Sequence, residues 1–258
     1  MCELGWERGP ALSRALIRSM RLSRKEIVKL KNIAAVALLG TLALSGCAIG
    51  IPGLGDKPET GKQGESQGQQ TDRVEIGAVP EWSPNPVDVG ELIGTGYTEF
   101  YQVDVFQVGT AETLDDSSWE DSETGENLLP AGSEIAILNF VYTNTSGETQ
   151  IAGINMGNPS FTTDSWRYYG GMPGESRDEH FEPHGMSWNF VRPDAIEDFE
   201  HIAMEIAPGE SVAEAATVQY VTDEELIVSI RIPKVAADGE TDFADVQEFQ
   251  QEFRIKLK

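Results

Sequence analysis

The sequence predicts an all-β protein, an antiparallel β-sandwich. Three observations predict it. Beyond residue 95 the dominant hydrophobic period is two, the repeat of a strand with one buried face. Seven or more short strand-like segments are separated by turn residues. One of them is apolar almost throughout, as a central strand covered on both faces would be.

In chain order, Tyr101, Val103 and Val105 alternate with Gln102, Asp104 and Phe106. The apolar run is 134–143, EIAILNFVYT, and 144–148, NTSGE, has turn composition after it. Apolar residues resume over 149–156, so the two segments are expected to form a hairpin. Ser165 to Tyr169, SWRYY, reads as an aromatic strand closed by Gly170 and Gly171. Ala207-Pro208-Gly209-Glu210 is a turn, and 212–221 is the strand expected after it. Over 225–232, Leu226, Val228 and Ile230 share one face, and Pro233 is expected to end that strand. Phe253, Ile255 and Leu257 alternate with Arg254, Lys256 and Lys258, a half-buried strand. Phe243, Val246 and Phe249 have helical spacing, so 242–251 is expected to be a short helix.

The start of the chain carries an address. Residues 33–44, IAAVALLGTLAL, are uncharged and too short to span a bilayer, which takes about 20 apolar residues. Arg21, Arg24, Lys25, Lys29 and Lys31 precede them, the pattern of an export signal. Leu44-Ser45-Gly46-Cys47 follows directly and resembles the lipobox of bacterial lipoproteins. That resemblance implies a diacylglyceryl group on the Cys47 thiol and cleavage before it. It makes 1–46 a signal peptide and the membrane a partner through the anchor. Met20 makes a natural start for such a signal. Residues 47–72 are rich in Gly, Gln, Ser and charge and read as a disordered, flexible tether. The extracytoplasmic domain is then 73–258, held at the outer face of the cell membrane.

Cysteine and charge narrow the classes. Cys2 and Cys47 are the two cysteines, so neither a disulfide scaffold nor a Cys-based zinc site is expected. Residues 1–46 hold eight of the 19 Lys/Arg and three of the 43 Asp/Glu, leaving a formal charge of −29 beyond them. Such a balance repels nucleic acid and anionic surfaces, and nucleic-acid binding is excluded.

Short motifs within 95–235 resemble the immunoglobulin-like domain of unknown function found in many Gram-positive lipoproteins. They are YQVDVFQV, ILNFVYTNTSGETQ, APGESVAEAATVQY and IRIPK. Ile232-Pro233 stands where that family has Val-Pro, and 157–200 is longer than its usual connection. The resemblance implies an immunoglobulin-like sandwich and a location, not a reaction.

Three groups of residues are candidate sites. His180 and His184 lie in DEHFEPH and offer imidazole ligands for Zn²⁺ or Cu²⁺, although Pro183 disfavours a helix that aligns them. Asp115, Asp116, Glu120 and Asp121, with Glu123 and Glu126, offer oxygen ligands for Ca²⁺ but lack the spacing of a calcium loop. Trp166, Tyr168, Tyr169 and Trp188 form an aromatic group, suited either to recognition or to the core. No G-x-S-x-G, H-E-x-x-H or P-loop occurs, and no cofactor is implied. The reading is a non-catalytic binding module with an unknown protein or envelope partner. A metal-ion-binding lipoprotein and a structural subunit of an envelope complex are the alternatives.

Overall fold

The computed structural model describes residues 72–154, 156–196 and 202–258, all within the compact unit Ser66–Lys258. The export signal, Met20, Cys47, the tether to residue 71 and His201 lie outside the described residues.

The described chain is all-β and antiparallel. Its strands are β1 (Glu91–Tyr97), β2 (Tyr101–Glu112), β3 (Glu134–Asn144), β4 (Gln150–Ala152), β5 (Ser160–Thr162) and β6 (Met204–Ile206). They continue with β7 (Ser211–Gln219), β8 (Leu226–Ser229), β9 (Ile232–Val235), β10 (Thr241–Gln247) and β11 (Phe253–Ile255). One four-residue helix, α1 (Asp178–Phe181), precedes a 3-10 turn at Glu182–His184.

β1-β2-β3-β7 form one sheet and β11-β8-β5 a second, with the pairs β10-β9 and β4-β6 beside them. The two larger sheets share one core, which makes the fold a sandwich. Tyr101, Val103 and Val105 of β2 join Ala136, Leu138, Phe140 and Tyr142 of β3 in it. Phe161, Val228, Phe253 and Ile255 meet them from the second sheet.

The outer face of the large sheet is covered too. Phe106, Val141 and Ala213 pack under Ile76 and Val87, and Ile137 and Ala215 pack under Phe181 and Met186. β3 is therefore buried on both faces, which is why 134–143 shows no alternation. The covering strap, 73–89, bonds to the sheet through side chains. Gln102 accepts from Val74 N–H at 2.7 Å and donates to its carbonyl at 2.9 Å. Asn139 donates to Pro86 O, and Ser211 N–H to Ala78 O. These contacts satisfy polar groups that burial would otherwise penalise.

Four expectations are corrected. β3 and β4 form no hairpin: β3 pairs with β2 and β7, and β4 with β6. Asn144 diverts the chain. Its side-chain oxygen accepts from Ser146 N–H in a tight local turn, while its amide donates to Glu148 O and Ile206 O. Residues 165–169 are a turn rather than a strand, closed by Trp166 N–H to Thr163 O. Residues 242–247 lie in β10, not in a helix. The register slips between Asp242 and Val246, so 243–245 have no partners on β9, and Phe249 lies beyond the strand. Pro233 lies inside β9, opposite Val246 where the register slips, and β9 is an edge strand, the setting in which a strand accommodates proline.

β1 escapes the two-residue pattern because Gly94 and Gly96 replace side chains where β11 crosses it. A Cβ on Gly94 would lie 2.8 Å from Ile255, and one on Gly96 would lie 2.6 Å from Phe249. Glycine there lets the second sheet close over the first.

Candidate recognition surface

Two connections meet at one end of the sandwich, 113–133 between β2 and β3, and 163–177 after β5. The first folds back on itself. Glu120 and Asn127 form an isolated bridge, and Asp121 N–H bonds Glu126 O at 2.8 Å. Gly125 turns the tip at φ +71, a conformation glycine adopts freely.

Asp121 joins the two connections. One carboxylate oxygen accepts from Glu123 N–H at 2.8 Å and Thr124 N–H at 3.0 Å, which fixes the tip. The other accepts from the Tyr168 hydroxyl and the Arg167 guanidinium. The Tyr168 hydroxyl and then the backbone N–H groups of 123 and 124 hold this carboxyl well below the usual aspartate range. Asp121 is accordingly ionised and acts as an acceptor only.

The aromatic residues stack on this hub. The Trp166 and Tyr168 ring centroids are 4.8 Å apart, and the Arg167 guanidinium lies 5.1 Å from the Tyr168 ring centroid. Trp166 is half-buried against the main core. Tyr169 is fully exposed, next to Gly170, whose Cβ position is 3.2 Å from the Trp119 ring. Trp119 thus belongs to the surface, although sequence reasoning passed over it.

Trp188 is not brought to this group. It is 52% exposed, so it is not core, and its segment is tied to Asn85 through Ser187 N–H. The metal candidates disperse as well. His180 is buried with Nε2 2.8 Å from Glu175, and His184 sits half-exposed on the 3-10 turn beside Gly109. Asp115 pairs with Arg177, which also bonds Glu175 at 2.7 Å. Asp116 accepts from Ala131 N–H, and Glu120 projects outward. Among the described residues no three His, Cys, Asp or Glu side chains converge on a metal-sized site. Burial raises the Glu175 carboxyl, but His180, Leu114 N–H and Arg177 outweigh it and hold Glu175 below the usual range.

A second acid lies deep in the fold. Glu214 of β7 points between the sheets, where its carboxyl meets Gly157 N–H at 2.9 Å and the Tyr142 hydroxyl at 3.2 Å. Burial raises the Glu214 carboxyl above the usual range. The residue stands out in the apolar stretch SVAEAATV, which is the signal that could have found it.

No protein-family model, curated protein or solved structure matches the chain.

Proposed function

We propose that the protein is a lipid-anchored recognition module of the cell surface, with an immunoglobulin-like domain that binds rather than catalyses. In this reading Cys47 carries the lipid, 48–72 is the spacer, and the sandwich presents the 113–133 and 163–177 connections to a protein or envelope partner. One observation carries it: Tyr169 is fully exposed on a loop pair that Asp121 locks in place. An exposed aromatic ring on a preorganised loop gains contact area at little entropic cost, the arrangement that recognition loops favour.

The test has two parts. Cells expressing the full chain are fed a labelled fatty acid, and the Cys47→Ser variant is compared. Label on the parent alone supports the anchor, and equal label on both overturns it. A photo-crosslinking residue is then placed at 169 or at 243 on intact cells. A discrete adduct from 169 and none from 243 supports the surface. Identical products from both positions overturn it.

A further inference from the structure

Glu214 sits in the core, yet only a thin stretch of chain keeps water from it. Val212 and Ala216 flank it on β7, and both belong to the apolar core. Tyr142 faces it from β3, and Tyr101 packs edge-on against that ring at 6.4 Å. The third wall is the turn 156–158, ahead of β5. Gly157 N–H donates to the carboxyl at 2.9 Å, and Asn158 N–H bonds it as well. Among the described residues no basic side chain acts on Glu214. Arg231 holds the far side of the turn through its backbone N–H, 2.8 Å from Gly157 O, while its guanidinium faces Glu248 at 3.6 Å.

The turn is constrained as well as thin. Asn158 is exposed, whereas its neighbours Met156 and Gly157 are buried. Its φ is +42, the one positive φ at a non-glycine among the described residues. A left-handed backbone is costly for a residue with a side chain, and the bond to Glu214 helps to hold it. Asn158 is also the wall shared by two clefts. One, of about 210 Å³, runs past Met156, Arg231, Pro233 and Phe243. The other, of about 280 Å³, runs past Ser160, Gly174 and Thr217. An exposed residue that borders both clefts therefore bonds a buried carboxyl directly.

Loss of its proton leaves Glu214 as a carboxylate with no cation to pair with, and hydration is the relief within reach. Water arrives when the turn swings out. The shut form binds the proton more tightly than the open form, so opening releases a proton. Opening thus becomes easier as pH rises above the ordinary 4.5, and levels off once the shut form has ionised too.

We propose that 156–158 is a pH-responsive latch, shut while Glu214 is protonated and opening into the two clefts when Glu214 ionises. Opening uncovers Met156, joins the clefts and reshapes this side of the sandwich without unfolding it.

The test is peroxide oxidation of the detergent-solubilised full chain, with each methionine followed by peptide mapping from about pH 5 to about pH 9. Met156 is 1% exposed and Met186 4%, so neither reacts fast in the shut form. Met186 packs on the outer face of the large sheet and is the internal reference. The Met156 rate should rise with pH by at least about fivefold, and by no more than about tenfold per pH unit, while Met186 stays level. Glu214→Gln should remove the rise. A level Met156 rate, a parallel rise at Met186, or a rise that survives Glu214→Gln would each overturn the latch. Should Glu214→Gln fail to fold, Tyr142→Phe replaces it. With one donor fewer for the ionised acid, its Met156 rate at the alkaline end should exceed the parent's by at least about fivefold, and an equal rate would overturn the proposal.

Discussion

The Glu214 carboxyl lies 3.2 Å from the Tyr142 hydroxyl between the two sheets, with Gly157 N–H as a further donor. A Cβ on Gly157 would come within 2.2 Å of that hydroxyl, so the glycine, the tyrosine and the acid form one packed unit. Burial favours the neutral carboxyl, and its folded-state pKa is raised above the ordinary 4.5. The stability this group contributes is therefore complete below about pH 4, and it declines as pH rises through the raised value. Glu214→Gln keeps the shape and removes the charge. It should flatten the alkaline side of the stability profile and leave the acid side nearly unchanged. Thermal melts of parent and variant from acid to mildly alkaline pH measure this, and parallel curves would refute it.

Tyr142→Phe tests the same unit from the other side. It leaves a fully buried carboxyl with one donor fewer, a loss of about 1–3 kcal/mol. The cost should grow with pH, because the ionised acid needs the hydroxyl most. Denaturant titrations at two pH values check both magnitude and trend.

Asp121 has the opposite sign. Its carboxyl is held low, so the order it gives the loop pair is complete above the ordinary aspartate range, about pH 4, and is lost only as pH falls through the lowered value. Asp121→Asn should release Arg167 and speed amide exchange at Glu123 and Thr124 at neutral pH, while Phe140 and Val141 stay protected. Exchange at both places, followed by NMR or mass spectrometry, tests this. Unchanged rates at 123 and 124 would deny Asp121 its place at the centre of the surface.

The β2, β3, β7 and β11 strands were legible in the sequence because each carries a run of side chains that must be buried. β1 was not, since Gly94 and Gly96 serve by lacking side chains, and a two-residue period cannot register that. The aromatic stretch 165–169 has strand composition, yet it turns, because the positive φ of Gly170 and Gly171 and the bond to Thr163 decide its path. Both halves of the candidate surface were visible as an acidic run and an aromatic run. Their union was not, because Asp121 and Tyr168 are 47 residues apart in sequence and meet only through the sheets.

The strap over the outer sheet face depends on Asn85, which is buried and makes three hydrogen bonds. It donates to Asn189 O at 3.2 Å and Ala213 O at 3.1 Å, and accepts from Ser187 N–H at 2.7 Å. Asn85→Ala strands all three groups and should cost about 2–3 kcal/mol. Asn85→Asp is the sharper comparison, since it keeps the acceptor for Ser187 and replaces the donor with charge. It should be at least as damaging near neutral pH and recover partly in acid. Chemical denaturation at neutral and acid pH distinguishes these outcomes, and a tolerated alanine would show that the strap is held by its apolar contacts alone.

Two glycines separate steric need from conformational need. Gly96 meets the Phe249 ring at 2.6 Å from its Cβ position and Phe253 of β11 at 3.2 Å, so Gly96→Ala must displace the Phe249 ring and crowd β11. Overpacking of this kind costs about 1–3 kcal/mol. Gly125 has nothing within 4 Å, but its φ is +71. Gly125→Ala should therefore cost only about 1 kcal/mol, all of it backbone strain at the loop tip. The two variants should differ in where the loss is felt as well as in size. Gly96→Ala should lower the global melting temperature without disturbing probes near Asp121. Gly125→Ala should loosen the Glu123 and Thr124 amides while the melting temperature barely moves. If both variants acted on the same probes, the loop tip and the sandwich edge would have to be one cooperative unit, and the surface at Tyr169 could not be altered without weakening the fold beneath it.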